Sequence, residues 1–151
     1  MLVDNLKSFL KLNIIWKDDD MFEIKVTTSN TSFYGSTEVY DQSERLSEFA
    51  KLLNTFPEND KVLFYEAGKK DSYAYFSMKY YSIGKNGYIG VEINLESNVA
   101  TEYRKEEKDK LKLEIIVEPS AIDRFQKELY HLAKNEEGSA ILYGSDNRLD
   151  I

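Results

Sequence analysis

Apolar and polar residues alternate with period two along two stretches near the start of the chain. Leu10, Leu12, Ile14 and Trp16 share one face, and Phe22, Ile24, Val26 and Thr28 share another. Such alternation marks a half-buried strand, because successive side chains point to opposite sides of a pleated backbone. Lys17-Asp18-Asp19-Asp20 separates the stretches as a polar turn, and an odd loop over 17–21 would set Trp16 opposite Phe22 with both faces matched. Ser29-Asn30 reads as a second turn. A two-residue loop there pairs Thr28 with Thr31, Val26 with Phe33 and Ile24 with Gly35, and predicts a third strand over 32–40.

The period changes after Asp41. Leu46, Phe49, Ala50 and Leu53 follow at i, i+3, i+4 and i+7, the apolar stripe of a helix. Asp41 and Glu44 have capping-box spacing, with Ser43 as a competing cap. Pro57 biases Phe56 out of the helical region, so the helix is expected to end before it. Residues 61–67 read as a strand, Gly68-Lys69-Lys70-Asp71 as a turn and 72–83 as the next strand. Asn86-Gly87 is the signature of a two-residue hairpin turn. Such a turn pairs Lys85 with Tyr88, Tyr80 with Ile93, Met78 with Leu95, Tyr81 with Glu92 and Lys79 with Asn94. The mixed-sign charge run of residues 101–110 reads as a solvated loop. Leu111, Leu113, Ile115 and Val117 alternate in a last long strand, and Pro119 fits the first position of a second helix. Its stripe is Ile122, Phe125, Leu129 and Leu132, with an Asp123–Lys127 pair on the outside. Gly138 falls after its end, residues 140–143 suit a short strand, and the tail beyond is expected to fray.

The order is βββαββββα. Tight turns between consecutive strands imply antiparallel pairing, and both helices must bury their stripes against a sheet. The expectation is one domain over 1–151. It is α+β, a twisted antiparallel sheet or partial sandwich of about seven strands with two amphipathic helices. The 151 residues, 42% hydrophobic and 31% charged, suit one folded domain, and eleven Tyr and eight Phe favour strands over a helix bundle.

Charge and composition narrow the function. A net charge of −7 with no basic stripe argues against nucleic acid and suits a basic partner. No stretch approaches the roughly 20 apolar residues of a membrane span. Asp4 interrupts the N-terminus, which does not read as a signal peptide, so a cytoplasmic location is expected. The absence of Cys removes disulfides and thiolate metal sites.

The chemistry-bearing candidates mostly have bland readings. His131, the single histidine, falls about 180° from Ile122 on the second helix, near Arg124 and Lys127, with no carboxylate to orient it as a base. Asp18, Asp19 and Asp20 lack the alternating ligands, the glycine and the distal Glu of a calcium loop, so no metal is expected there. As a negative turn they can steer a basic partner. Among the acids only Glu66 and Glu118, at strand ends, have an apolar context of the kind a general acid needs, and neither is taken as catalytic. Ser43 has no nucleophile-elbow context, and Gly84-Lys85-Asn86-Gly87 is a hairpin rather than a phosphate loop. No cofactor is expected. On strand 72–83, Ala74, Phe76, Met78 and Tyr80 form one face and Tyr73, Tyr75, Lys79 and Tyr81 the other. If the first set is buried, the second presents three tyrosines beside Glu92, unless a helix or second layer covers them. Tyrosine supplies stiff apolar area with a polar tip, which suits an interface.

Three segments carry a resemblance: Met21-Phe-Glu-Ile-Lys-Val with Phe33-Tyr-Gly-Ser-Thr-Glu-Val-Tyr40, then Leu46-Ser-Glu-Phe-Ala-Lys-Leu-Leu-Asn-Thr-Phe-Pro57, and Glu118-Pro-Ser-Ala-Ile-Asp-Arg-Phe-Gln-Lys-Glu-Leu129. Their layout, over residues 9–134, resembles small acidic bacterial proteins, some similar to the immunity protein of the wall-associated toxin WapA. Where such proteins often carry a Gly-His step in the central hairpin, this chain has Asn86-Gly87-Tyr88. The resemblance implies a non-catalytic inhibitor of a basic partner such as a toxin domain, and it transfers no functional residue. Two other readings stand beside it. One is a small-ligand protein or hydrolase with a carboxylate/tyrosine pocket. The other is a homodimer joined through a sheet edge or the tyrosine face.

Overall fold

The computed structural model describes residues 7–70, 72–98 and 108–145. Eight strands and two helices follow in the order β1 Phe9–Lys17, β2 Phe22–Ser29, β3 Tyr34–Asp41, α1 Ser43–Asn54, β4 Val62–Gly68, β5 Ala74–Ile83, β6 Tyr88–Asn98, β7 Lys108–Val117, α2 Pro119–Asn135 and β8 Ser139–Tyr143. They form two four-stranded antiparallel sheets, β3-β2-β1-β8 and β4-β5-β6-β7, neither closed into a barrel. The α+β class and strand order hold, and the short strand after Gly138 becomes the eighth. Of the charge run, residues 108–110 belong to β7; residues 101–107, Asp71 and the tail from 146 lie outside the described residues.

The alternating stripes meet in one core. Leu10, Leu12, Phe22, Ile24 and Val26 of the first sheet join Phe76, Met78, Tyr80, Val91, Ile93 and Ile115 of the second. Leu46, Phe49, Ala50 and Leu53 of α1 fill one side of it, and Ile122, Phe125, Leu129 and Leu132 of α2 another. Each such side chain contributes roughly 1.5–3 kcal/mol by leaving water. Polar ties set the helices against each other: Gln126 Nε2 donates to Ala50 O at 3.1 Å, and Ser43 Oγ donates to Ala133 O at 2.7 Å. Thus Ser43 does not cap α1. Gln42 is the N-cap and makes no side-chain capping bond. Asp41 is not the cap either; its carboxylate is drawn inward to Tyr65. The end of α1 before Phe56 and Pro119 as the first residue of α2 agree with expectation. The left-handed position after α2 is taken by Glu136, at φ 52°, ahead of Gly138.

All three predicted hairpins form; the first keeps its expected register as far as Ile14, and the other two are displaced. Leu12 faces Val26 and Ile14 faces Ile24 as anticipated. A β-bulge at Ile15 then shifts the ladder, so Trp16 faces Glu23 and Lys17 faces Phe22. Trp16 is turned out of the core by that extra residue. The β2–β3 loop spans four residues rather than two, so Thr28 faces Gly35 and Val26 faces Thr37. Asn30 causes this: its Oδ1 accepts from Ser32 N at 3.1 Å and Phe33 N at 2.8 Å, closing an Asx turn. The β5–β6 loop also spans four residues, with Gly84 and Gly87 at positive φ. Ile83 therefore faces Tyr88, Tyr80 faces Val91, Lys79 faces Glu92 and Tyr81 faces Gly90.

Candidate functional site

The sequence candidates separate into two surfaces on different sheets. The first is the outer side of the second sheet. Register lays its side chains in rows: Val62, Tyr81, Gly90 and Ile116; Phe64, Lys79, Glu92 and Glu114; Glu66, Ser77, Asn94 and Lys112; Gly68, Tyr75, Glu96 and Lys110. Tyr75, Lys79, Tyr81 and Glu92 therefore share a face, as predicted. Tyr73 precedes the strand and is exposed.

Two of the three tyrosines are not the free interface groups expected. Tyr75 is only 6% exposed and donates its hydroxyl to Glu66 Oε1 at 2.8 Å. Tyr81 lies across Gly90, where a Cβ would collide with its ring, and donates to Glu114 Oε2. Burial, reinforced by those carboxylate acceptors, holds both hydroxyls protonated above the ordinary tyrosine range. Lys112 Nζ reaches Glu92 Oε2 at 3.7 Å, and Lys110 Nζ reaches Glu96 Oε2 at 4.0 Å. Cross-strand pairs thus use much of the face's polar capacity, with the ammoniums of Lys79, Lys110 and Lys112 set among the carboxylates of Glu66, Glu92, Glu96 and Glu114. An open hollow of about 490 Å³ remains, lined by Tyr75, Ser77, Lys79, Glu92, Asn94 and Lys112 among others.

The second surface is the bulged end of the first sheet. Trp16, Glu23 and Tyr40 lie side by side across β1, β2 and β3. The rings of Trp16 and Tyr40 meet edge to face, with centroids 6.1 Å apart at 87°, while 47% of Trp16 and 51% of Tyr40 stay exposed. Ile15, the bulged residue, is exposed beside them. The β1–β2 turn leaves from this end. Asp18 Oδ1 accepts from Asp20 N at 2.8 Å and Met21 N at 2.9 Å, and Asp18 N donates to Met21 O at 2.9 Å. One Asp therefore builds the turn, while the Asp19 and Asp20 carboxylates are exposed. Asp18, Asp19 and Asp20 follow Trp16 in the turn and Glu23 faces it across the ladder, with Lys17 directly after Trp16 and Lys25 two residues beyond Glu23. The sequence reading assigned Trp16 to the core and passed over Tyr40. The available signal was Ile14-Ile15-Trp16, three successive apolar residues that cannot all alternate.

A third cluster is structural. Asp41, at the end of β3, accepts from the Tyr65 hydroxyl and from Arg45 Nη1 at 3.3 Å, and Arg45 Nη2 donates to Glu66 O at 3.0 Å. Its effect is to join β3, α1 and β4. His131 is exposed on α2, with its ring against that of Tyr130. Among the described residues no three His, Cys, Asp or Glu side chains are grouped to hold a metal. None of the described helices is long and apolar enough to cross a membrane. No known protein family, curated protein or solved structure matches the chain.

Proposed function

We propose that this protein is a non-catalytic binding domain that holds a basic protein partner, as an immunity protein holds a toxin, and that the bulged end of the first sheet is its contact surface. The observation that carries the reading is the outward turn of Trp16 beside Tyr40, at the end of the sheet from which the Asp18-Asp19-Asp20 turn leaves. Tryptophan and tyrosine are the residues on which interfaces concentrate their energy, because they bury large stiff areas. The acidic turn gives the approach of a positive surface its direction and rate. Cationic side chains also pack well on exposed aromatic faces.

The test is a pull-down from the native cell, with the affinity of any basic protein recovered then measured by calorimetry. Trp16→Ala is expected to weaken the complex at least tenfold, or about 1.4 kcal/mol, while changing stability by no more than about 0.5 kcal/mol. Replacing Asp18, Asp19 and Asp20 together would disturb the Asx turn, so Asp19→Asn with Asp20→Asn is the cleaner charge variant; it should slow association and flatten the salt dependence. Unchanged affinity in both variants would remove this surface from the function. Failure to form a stoichiometric complex with any such partner would remove the function itself.

A further inference from the structure

We propose that the outer edge of β4 pairs antiparallel with the same edge of a second copy, joining two four-stranded sheets into one. This inference does not depend on the reading above, which uses the other sheet.

An edge strand leaves alternate backbone N–H and C=O groups without a ladder partner, and stable proteins cover or disrupt such edges. Two other edges here are each engaged at one point by a neighbouring segment. On β7, Ile116 O accepts from Ser145 N at 2.6 Å. On β8, Ile141 N donates to Glu128 Oε1 at 2.9 Å from α2. In its sheet β4 is paired on one side only, by β5. Arg45 marks which groups face outward, because its guanidinium bonds Glu66 O. By alternation the backbone groups of Val62 and Phe64 face the same way. Among the described residues no side chain bonds these two, and the strand carries neither a proline nor a bulge.

The side chains along this edge are apolar where a solvated edge is normally charged. Val62 is 51% exposed, Phe64 52% and Leu52, facing them from α1, 48%. A groove of about 300 Å³ runs between α1 and β4, with Phe49 and Tyr65 at its base and Leu52 and Phe64 on its sides.

The edge is also self-complementary. A two-fold axis through Phe64 sets Phe64 against its equivalent and Val62 against the partner's Glu66, so no like charges are opposed. The flanking charges cancel, Arg45 and Lys61 against Glu48 and Glu66. Two copies that each carry a net −7 can meet along such a neutral strip, where more acidic parts of the surface would repel. Phe64 would exchange both backbone bonds with its equivalent, and Glu66 N–H would donate to the partner's Val62 C=O. Arg45 already occupies the Glu66 carbonyl, which limits how far the pairing extends.

Sedimentation and light scattering from about 1 µM to about 500 µM test this. The wild-type mass is expected to rise from 17.6 kDa towards twice that value. Amide exchange at Val62 and Phe64 should slow over the same range. Phe64→Lys places two ammoniums at the axis from an exposed position; it should weaken self-association at least tenfold with an unchanged circular dichroism spectrum, whereas Trp16→Ala should leave it intact. A monomeric mass at every concentration would overturn the proposal, leaving the edge to a different partner's strand. A dimer that forms without slowing exchange at Val62 and Phe64, or that tolerates Phe64→Lys, would overturn it equally.

Discussion

Tyr65 and Tyr80 are both buried in the core, yet their hydroxyls meet different acceptors. Tyr65 donates to the carboxylate of Asp41, while Tyr80 finds only the Met78 sulfur at 3.1 Å. A thioether is a weak acceptor, and an aspartate deprived of its donor keeps its desolvation cost. Tyr65→Phe is therefore expected to cost about 1–3 kcal/mol and Tyr80→Phe no more than about 0.5 kcal/mol, read from urea unfolding midpoints. Comparable losses in both variants would mean that Asp41 is not the source of the difference. Burial also raises both of these hydroxyls above the ordinary value of 10.0, as it does those of Tyr75 and Tyr81. A group whose folded pKa is raised stabilises the fold below its unfolded pKa and loses that contribution as pH climbs towards the folded value. Unfolding free energy should thus decline above about pH 10, where the unfolded chain releases these protons first. Phenolate absorbance from Tyr65, Tyr75, Tyr80 and Tyr81 should therefore appear only with unfolding. A smooth titration of all tyrosines in folded protein would contradict the assignment.

At the level of strands and helices, the periodicities named which side of each element is buried, and the structure agrees except at Trp16 and Phe33, which are exposed. Registers were harder to read. Residues 9–14 of β1 pair with β2 as predicted, but β2–β3 and β5–β6 are displaced by even numbers of residues. An even displacement keeps every side chain on its own face, so hydrophobic pattern alone cannot detect it. The loops decide, through the Asn30 side chain in one case and the positive φ of Gly84 in the other. The site was legible in part for the same reason. Tyr75, Lys79, Tyr81 and Glu92 were grouped correctly by face, but their pairing with Glu66 and Glu114 follows from the fold's register and neighbouring strands. Trp16 was misplaced because a bulge costs one residue that alternation does not announce. Gly90 offers a prediction at this scale. Its missing side chain leaves the space in which the Tyr81 ring lies. Gly90→Ala should destabilise the second sheet by about 1–3 kcal/mol, since the ring must leave its rotamer and its bond to Glu114. Tyr81→Ala in that background should recover part of the loss; a strictly additive double mutant would show that the two positions do not interact.

For the molecule as a whole, charge governs how it meets others. With a net −7 and the Asp18-Asp19-Asp20 turn next to Trp16, association with the proposed basic partner should slow steeply with salt. Between about 50 mM and about 500 mM salt the association rate should fall several-fold with little change in dissociation, as stopped-flow fluorescence of the single tryptophan can record. A salt-insensitive rate would point to an apolar contact without steering. The arrangement of β1 has a separate bearing on biosynthesis. This strand is flanked by β2 and by β8, and Gly144 N donates to Ser8 O just beyond the pairing. One side of β1 is thus completed at once, while the other waits for residues 139–143 to emerge from the ribosome. During that interval Leu10 and Leu12 sit on a strand with an open edge, a species prone to pairing with other chains. Chaperone demand during synthesis, and aggregation of nascent chains stalled before residue 139, should exceed what the finished protein's solubility suggests.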